Sequence, residues 1–537
     1  MGNNKMDKLS KIVPKPKIEI PKANDFIVNR DTIIIASEKL NPLGLYLQDF
    51  LIKEGKLELK LINDEKDKYK HNSIILRLDE SSNEDLEGYH LNIDKNNINL
   101  SASNERGIFY GIQTILQLIY QSNHESVERE KEHLKLNCVE IRDSPRFQWR
   151  GFMLDEARHF FGKEMVKKIL DIMALLKLNT FHWHLTDDQG WRIEIKKFPR
   201  LTEIGSRRRG TDVTKHKLFV NSSINDHETD GIPVIGYYTQ EEIKEIVEYA
   251  AQRYITIIPE IDLPGHTMAL LASYPELSCT GGPFEVGTRF GIYRDVLCIG
   301  KELVFQYVEG ILSEVIELFP SEYVHIGGDE APRTRWKKYS DCQARIAQES
   351  IENVDNLQLY FTNRISQFLL AHGKRVVSWN ETINKDLNAE VYSQNWNASQ
   401  DEILAELSKG RKVIMSDIKY TYFDYPYKLN SLQNVYQYNP IPATLSEIFY
   451  KNIIGIEACL WTERVKTPEK LEYLLFPRLF AIAEIGWTQK NNMNYLEFEK
   501  RISFLFKQFE KEGINYALKE DYEGNSTERT EKYLKST

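Results

Sequence analysis

The chain has 537 residues, of which 41% are hydrophobic and 28% charged, with a net charge of −9. That apolar content supplies large cores and excludes a disordered chain, while the length suggests roughly two to four domains. The acidic balance argues against a general nucleic-acid binder, which would carry a basic patch.

No stretch approaches the roughly 18 apolar residues a membrane span needs. The opening residues M-G-N-N-K-M-D-K-L-S-K hold no apolar run and no small-residue cleavage pattern, so no signal peptide is expected and a cytoplasmic location is predicted. The five cysteines, Cys138, Cys279, Cys298, Cys342 and Cys459, show no C-x-x-C spacing. The sequence predicts neither a metal site nor a cofactor.

Residues 1–22 are rich in Lys and Pro and predict a flexible lead-in. Residues 23–138 predict a small α/β domain. Thr32–Ala36 and Ser73–Leu78 read as strands, a hairpin turns around Lys95-Asn96-Asn97, and Glu105–Gln121 reads as an amphipathic helix. The Glu-rich run Glu125–Glu132 reads as a solvated link.

From Val139 to the end, short apolar strands alternate with longer helices. The predicted strands are Gly151–Leu154, Thr180–Leu185, Thr256–Ile261, Val324–Ile326, Arg375–Trp379, Glu390–Ser393, Lys412–Met415 and Gly455–Leu460. Helices are predicted at Lys163–Leu176, at Gln240–Arg253 after Thr239 as N-cap, and at Lys301–Phe319, Asn356–Ala371, Gln400–Leu407 and Glu469–Ile485. Eight such repeats predict a (β/α)8 TIM barrel over residues 139–537. An open doubly wound sheet is the alternative, but no Gly-rich phosphate turn follows the first strand.

In such a barrel, active residues collect just after the strand ends. The stretch Y-V-H-I-G-G-D-E ends the fourth strand on Gly327-Gly328 and puts Asp329 and Glu330 at its tip. Neighbouring side chains on a strand point to opposite faces, so two adjacent acids share a site only where that alternation breaks. Acids, tryptophans, an arginine and a histidine fall after the other strands: Arg158, Asp187, Asp262, His266, Trp379, Trp396, Tyr422, Asp424, Trp461 and Glu463. Carboxylates and Arg hydrogen-bond sugar hydroxyls, and aromatic rings stack on sugar faces. Glycoside cleavage usually takes two carboxyl groups.

The motifs R-G-F-M-L-D-E-A-R-H-F, F-H-W-H-L-T-D-D-Q-G-W-R, P-E-I-D-L-P-G-H, H-I-G-G-D-E, S-W-N-E, Y-F-D and L-W-T-E resemble, in order and spacing, glycoside hydrolase family 20 β-N-acetylhexosaminidases. Glu87-Gly88-Tyr89 and the segment from Gly107 resemble the non-catalytic domain that precedes the barrel there. The resemblance implies exo-acting removal of terminal non-reducing GlcNAc or GalNAc from glycans, with retention and without a cofactor. The substrate's own 2-acetamido group acts as nucleophile through an oxazolinium intermediate.

It further implies Glu330 as acid and base, with a pKa raised to about 6. Asp329 holds the acetamido N–H and Tyr422 its oxygen. Trp379, Trp396 and Trp461 enclose the methyl group and sugar floor. Arg158 binds hydroxyls, with Glu463 beside it and Asp424 nearer the 6-hydroxyl. Asp187, His266 and Asp262 support Glu330. Many relatives carry a tryptophan after the Tyr-x-Asp motif; this chain offers Tyr425, Tyr427, Tyr436 and Tyr438. Secreted relatives pair two cysteines at places like Cys279 and Cys298, which implies export as the alternative location.

Two rival readings stand beside this one. His182-x-His184 with His266, His325 and an acid fits a metal-dependent amidohydrolase barrel. A sugar-binding protein without catalysis is the other.

Overall fold

The computed structural model describes residues 10–63, 71–79, 85–125, 133–213, 219–220, 227–382, 386–388 and 390–525. The front unit is a seven-stranded mixed sheet in the spatial order Ile18–Val28, Leu134–Asp143, Tyr89–Ile93, Asn97–Ala102, Ser73–Leu78, Ile33–Ala36, Lys60–Asn63. The first four of these are antiparallel neighbours and the remaining pairings are parallel. Helices Asn41–Gly55 and Glu105–Glu125 pack against it.

Two expectations change here. Of the lead-in expected to be flexible, residues 1–9 lie outside the described residues and residues 10–22 are built in: Ile12 and Val13 are fully buried, and the first strand already starts at Ile18. The Val13 N–H donates to Gln117, and the Gln117 amide returns a bond to the Val13 carbonyl, which fixes the segment. The strand Leu134–Asp143 belongs to this sheet, so the unit runs past the boundary drawn at residue 138. Most of the Glu-rich run lies outside the described residues; Glu125 itself ends a helix.

The second unit is the expected closed barrel of eight parallel strands. In chain order they are Trp149–Asp155, Thr180–His184, Thr256–Glu260, Tyr323–His325, Arg375–Trp379, Val391–Asn395, Val413–Met415 and Ile453–Leu460. Thr239 caps its helix with a reciprocal capping box to Glu242. The single helix expected over Glu469–Ile485 is two, Pro468–Leu475 and Arg478–Trp487. Pro477 has no N–H to continue the ladder and its ring would clash with the preceding turn, so the chain restarts after it.

The Glu87-Gly88-Tyr89 motif is explained by where the units meet. Arg150, in the first barrel strand, donates to both Glu87 oxygens at 2.7 and 3.2 Å, fully buried. The Lys177 ammonium donates to Tyr89 Oη at 2.9 Å and to Asp143 at 3.0 Å. A desolvated charge is costly without a partner, so removing either end of such a pair destabilises strongly.

Candidate active site

At the tip of the fourth strand, Gly327 and Gly328 take φ values of +61° and +104°. A Cβ on Gly327 would lie 1.8 Å from Asp262 Oδ1, and the Gly328 N–H donates to that same oxygen at 3.0 Å. Only glycine lets the chain pass this close. Glu330 itself sits at φ +47°, a left-handed conformation that is strained for a residue with a side chain. The alternation is thereby broken, and Asp329 Oδ2 and Glu330 Oε2 both approach His266 Nε2, at 3.7 and 3.5 Å.

The barrel register supplies the next layer. Asp155, His184, Glu260 and His325 are side by side on strands one to four. Asp187, just beyond, receives His184 Nε2 at 3.0 Å, His266 Nδ1 at 3.3 Å and Arg158 Nη2 at 2.7 Å. Arg158 also reaches Asp155 at 3.2 Å and lies 5.0 Å above the Trp461 ring. His266 Nδ1 lies 3.2 Å from Asp188 Oδ2 as well, and Asp188 takes the Met268 N–H.

Electrostatics sort the acids. Burial raises Asp329 to about 7, and Glu381, Glu330 and Glu260 add to it against the pull of His266. Burial and the Asp329 charge raise Asp262 well above the ordinary value. Burial and Glu463 raise Asp424 to about 7. Burial disfavours charge on His266, but Asp187, Asp188 and Glu330 outweigh it and hold the ring as a cation.

Glu330 departs from expectation. Burial would raise it, but the His266 cation beside it and Arg158 hold its carboxyl below the ordinary value rather than near 6. Around it, burial raises the carboxyls of Asp329, Asp262 and Glu381. Glu381 is a residue the motif reading quoted without assigning a task. It accepts the Glu330 N–H at 2.8 Å and so helps fix that strained residue.

The aromatic wall forms a compact cluster of Met153, Trp379, Tyr422, Cys459 and Trp461, with Trp396 and Tyr425 packed against it. Trp379 and Trp461 centroids lie 5.9 Å apart, Tyr422 and Trp461 6.1 Å, and Trp396 stacks on Tyr422 at 6.2 Å. Burial keeps the Tyr422 phenol protonated, so it is a donor. Asp329 Oδ1, Asp424 Oδ1 and Trp396 Nε1 are buried with no hydrogen-bond partner among the described residues. Two acceptors and a donor left so in one hollow suit a ligand that carries both N–H or O–H and oxygen groups.

Of the four tyrosines that follow Asp424, only Tyr425 packs against this cluster. Tyr427 donates to the Phe476 carbonyl, Tyr436 packs tilted against Phe498, and Tyr438 stacks on Tyr420.

Beneath the site, the barrel holds a buried polar network built from the His182-x-His184 motif, Glu260, His325 and Glu457. Glu260 receives His184 Nδ1 at 2.5 Å, lies 3.0 Å from both His182 Nε2 and His325 Nδ1, and accepts the Trp379 indole N–H at 2.9 Å. Glu457 receives His182 Nδ1 at 2.7 Å and the Trp149 indole at 2.8 Å. Both ring nitrogens of His182 and of His184 therefore face carboxylates. Burial opposes charge on both rings, but Glu457 and Glu260 hold His182 at about 9, and Glu260 holds His184 well above its ordinary value. The atoms of His182, Glu260 and His325, and of His184, Asp187 and Asp262, also lie close enough together to hold an ion, so the amidohydrolase reading is decided by the family comparison below and not by these rings.

The family model described as glycosyl hydrolase family 20, catalytic domain, matches residues 147–490, and that for domain 2 of the same family matches residues 9–144. A β-hexosaminidase of Porphyromonas gingivalis is 37% identical over 526 residues, covering 95% of this chain and 65% of that protein, so the chain spans just under two thirds of that relative. A β-hexosaminidase of Akkermansia muciniphila is 32% identical over 79% of this chain and 85% of its own length. Among solved structures, the exo-β-N-acetylglucosaminidase of Vibrio harveyi with N-acetylglucosamine superposes with a TM-score of 0.82 at 30% identity, over 95% of this chain and 78% of that one. The β-N-acetylhexosaminidase of Bacteroides fragilis gives 0.80 at 31% identity, over 95% and 98%.

Proposed function

This chain belongs to glycosyl hydrolase family 20, and on that premise we propose that it is an exo-acting β-N-acetylhexosaminidase that releases terminal non-reducing N-acetylhexosamine from glycans with retention. The reaction is read as substrate-assisted. The acetamido oxygen attacks the anomeric carbon while Glu330 protonates the leaving oxygen; Glu330 then takes a proton from the water that opens the oxazolinium. Holding the amide beneath the ring converts a bimolecular attack into an intramolecular one, a gain equivalent to effective molarities of about 10⁵–10⁸ M.

The observation that carries this reading is Asp329. Its Oδ1 is buried without a partner among the described residues, and its Oδ2 is 3.7 Å from the His266 ring. An amide N–H fits that oxygen, and the Tyr422 hydroxyl fits the amide oxygen. Trp379, Trp396 and Trp461 supply the walls, and Arg158, Asp424 and Glu463 the hydroxyl contacts. The low pKa of Glu330 without substrate fits a carboxylate that takes up a proton only when a sugar shields it from water. Asp329, near 7, is the nearby source.

The test pairs an aryl N-acetyl-β-glucosaminide with the same aryl β-glucoside, which lacks the acetamide, and adds a thiazoline analogue of the intermediate. The reading requires cleavage of the first only, with retained configuration, and competitive inhibition by the thiazoline. Equal cleavage of both glycosides would refute it.

A further inference from the structure

Away from the sugar hollow, three of the five cysteines meet. Cys342 Sγ lies 3.8 Å from Cys279 Sγ and 3.6 Å from Cys298 Sγ, and all three sulfurs lie within 4.8 Å of one another. Their residues are 9% exposed for Cys279 and fully buried for Cys298 and Cys342. They come from three separate segments. The Cys298 N–H donates to the Leu277 carbonyl at 2.9 Å, and Ser278 bridges Leu297, which joins the first two segments. The helix Ser340–Gln348 brings the third: a Cβ on Gly300 would lie 2.3 Å from the Cys342 nitrogen, so the helix start rests directly on that glycine.

Three thiols from three segments pointing at one spot is a ligand arrangement rather than a packing motif. Zinc–thiolate bonds are about 2.3 Å, so sulfurs on a tetrahedral ion stand roughly 3.8 Å apart. The two separations from Cys342 match that edge, and the third pair lies within 4.8 Å. Three thiolates on a divalent ion leave one excess negative charge. Lys301, whose ammonium donates to the Ser278 carbonyl at 2.6 Å, stands beside it to offset that charge.

We propose that Cys279, Cys298 and Cys342 form a three-thiolate site for a thiophilic divalent cation of the zinc class, with the fourth position open on the less buried Cys279 side. Each thiol gives up its proton on binding, so loading releases protons and weakens at low pH. The site is a structural staple. The Leu297 N–H donates to the Pro264 carbonyl at 3.2 Å, two residues before His266, and the Trp336 indole donates to the Leu297 carbonyl at 2.8 Å. A bound ion therefore ties together the segments on both sides of His266 and Glu330. The proposal stands whether or not the hydrolase reading does.

The test uses the whole 537-residue chain, stripped with chelator and kept reduced, with all five thiols confirmed free in a denatured aliquot. Cadmium is then titrated as a spectroscopic probe and zinc is measured by elemental analysis. One equivalent per chain is expected, with a thiolate-to-cadmium charge-transfer band. The band is lost in Cys342→Ser and in Cys279→Ser but kept in Cys138→Ser, whose cysteine lies in the front sheet. Zinc is expected to raise the melting temperature of the wild type and not of Cys342→Ser. Absence of the band in the fully reduced wild type overturns the proposal, as does its persistence in a folded Cys279→Ser protein. If the serine variants fail to fold, the wild-type titration alone decides.

Discussion

One face of the His266 ring points to the acid that does the proposed chemistry and the other to an acid that does not: Nε2 is 3.5 Å from Glu330 Oε2, and Nδ1 is 3.3 Å from Asp187 Oδ1. The cation between them holds Glu330 below the ordinary carboxylate value against the effect of burial. In His266→Asn that cation is gone, burial dominates, and the Glu330 pKa rises. The alkaline limb of the kcat/KM profile, where the general acid loses its proton, is expected to move to higher pH, with kcat reduced about 10- to 100-fold. A profile that overlays the wild type would remove His266 from this role.

The acid step can be isolated by varying the leaving group. Glu330→Gln is expected to lose about 10²–10⁴-fold in kcat/KM on glycosides with poor leaving groups, and much less on activated aryl glycosides that depart without a proton. Asp329→Asn is expected to lose turnover on both, because it misplaces the nucleophilic amide rather than the proton. Steady-state kinetics on the two substrate classes check this; an equal loss for both variants on both classes would contradict the division of labour.

Asp424 ties the site to stability. Its folded pKa is raised from 3.8 to about 7. An acid raised in this way binds its proton more tightly folded than unfolded, so its contribution falls as pH climbs from about 4 to about 7. Asp424→Asn is therefore expected to stabilise the protein at pH 8 by about 1–3 kcal/mol after solvent screening, and to leave stability at pH 4 nearly unchanged. Thermal melts at the two pH values check the sign. Activity should fall in the same variant.

Gly327 is the most exacting position at the strand tip. An alanine there would put Cβ 1.8 Å from Asp262 Oδ1 at φ +61°. Gly327→Ala is expected to destabilise by about 2–4 kcal/mol through strain and overlap. Any folded fraction should have little activity, since Asp329 and Glu330 would shift together. Circular dichroism melts and specific activity per folded molecule measure the two effects separately.

Much of the architecture could be read from the residue order. Runs such as Thr180–His184 and Thr256–Glu260 are buried along nearly their whole length, as strands covered on both sides are, and eight of them with helices between fit a closed barrel. The motifs at their ends also announced which side chains gather at the mouth. The edges were less legible: the strand through Val139 has the same alternation whichever sheet it joins, and the pairing with Ile18–Val28 decides.

The sequence by itself determined the reactive groups and the family. Only the folded chain decided their protonation, because that depends on distances no spacing rule contains. Asp329 and Glu330 are neighbours in the chain, yet one is raised to about 7 and the other lowered: burial, with Glu381 from the fifth strand's end adding to it, prevails at Asp329, while at Glu330 burial is outweighed by His266, brought from the third strand's loop, and Arg158. The meeting of Cys279, Cys298 and Cys342, separated by tens of residues, has the same origin: charge and ligand geometry act through space.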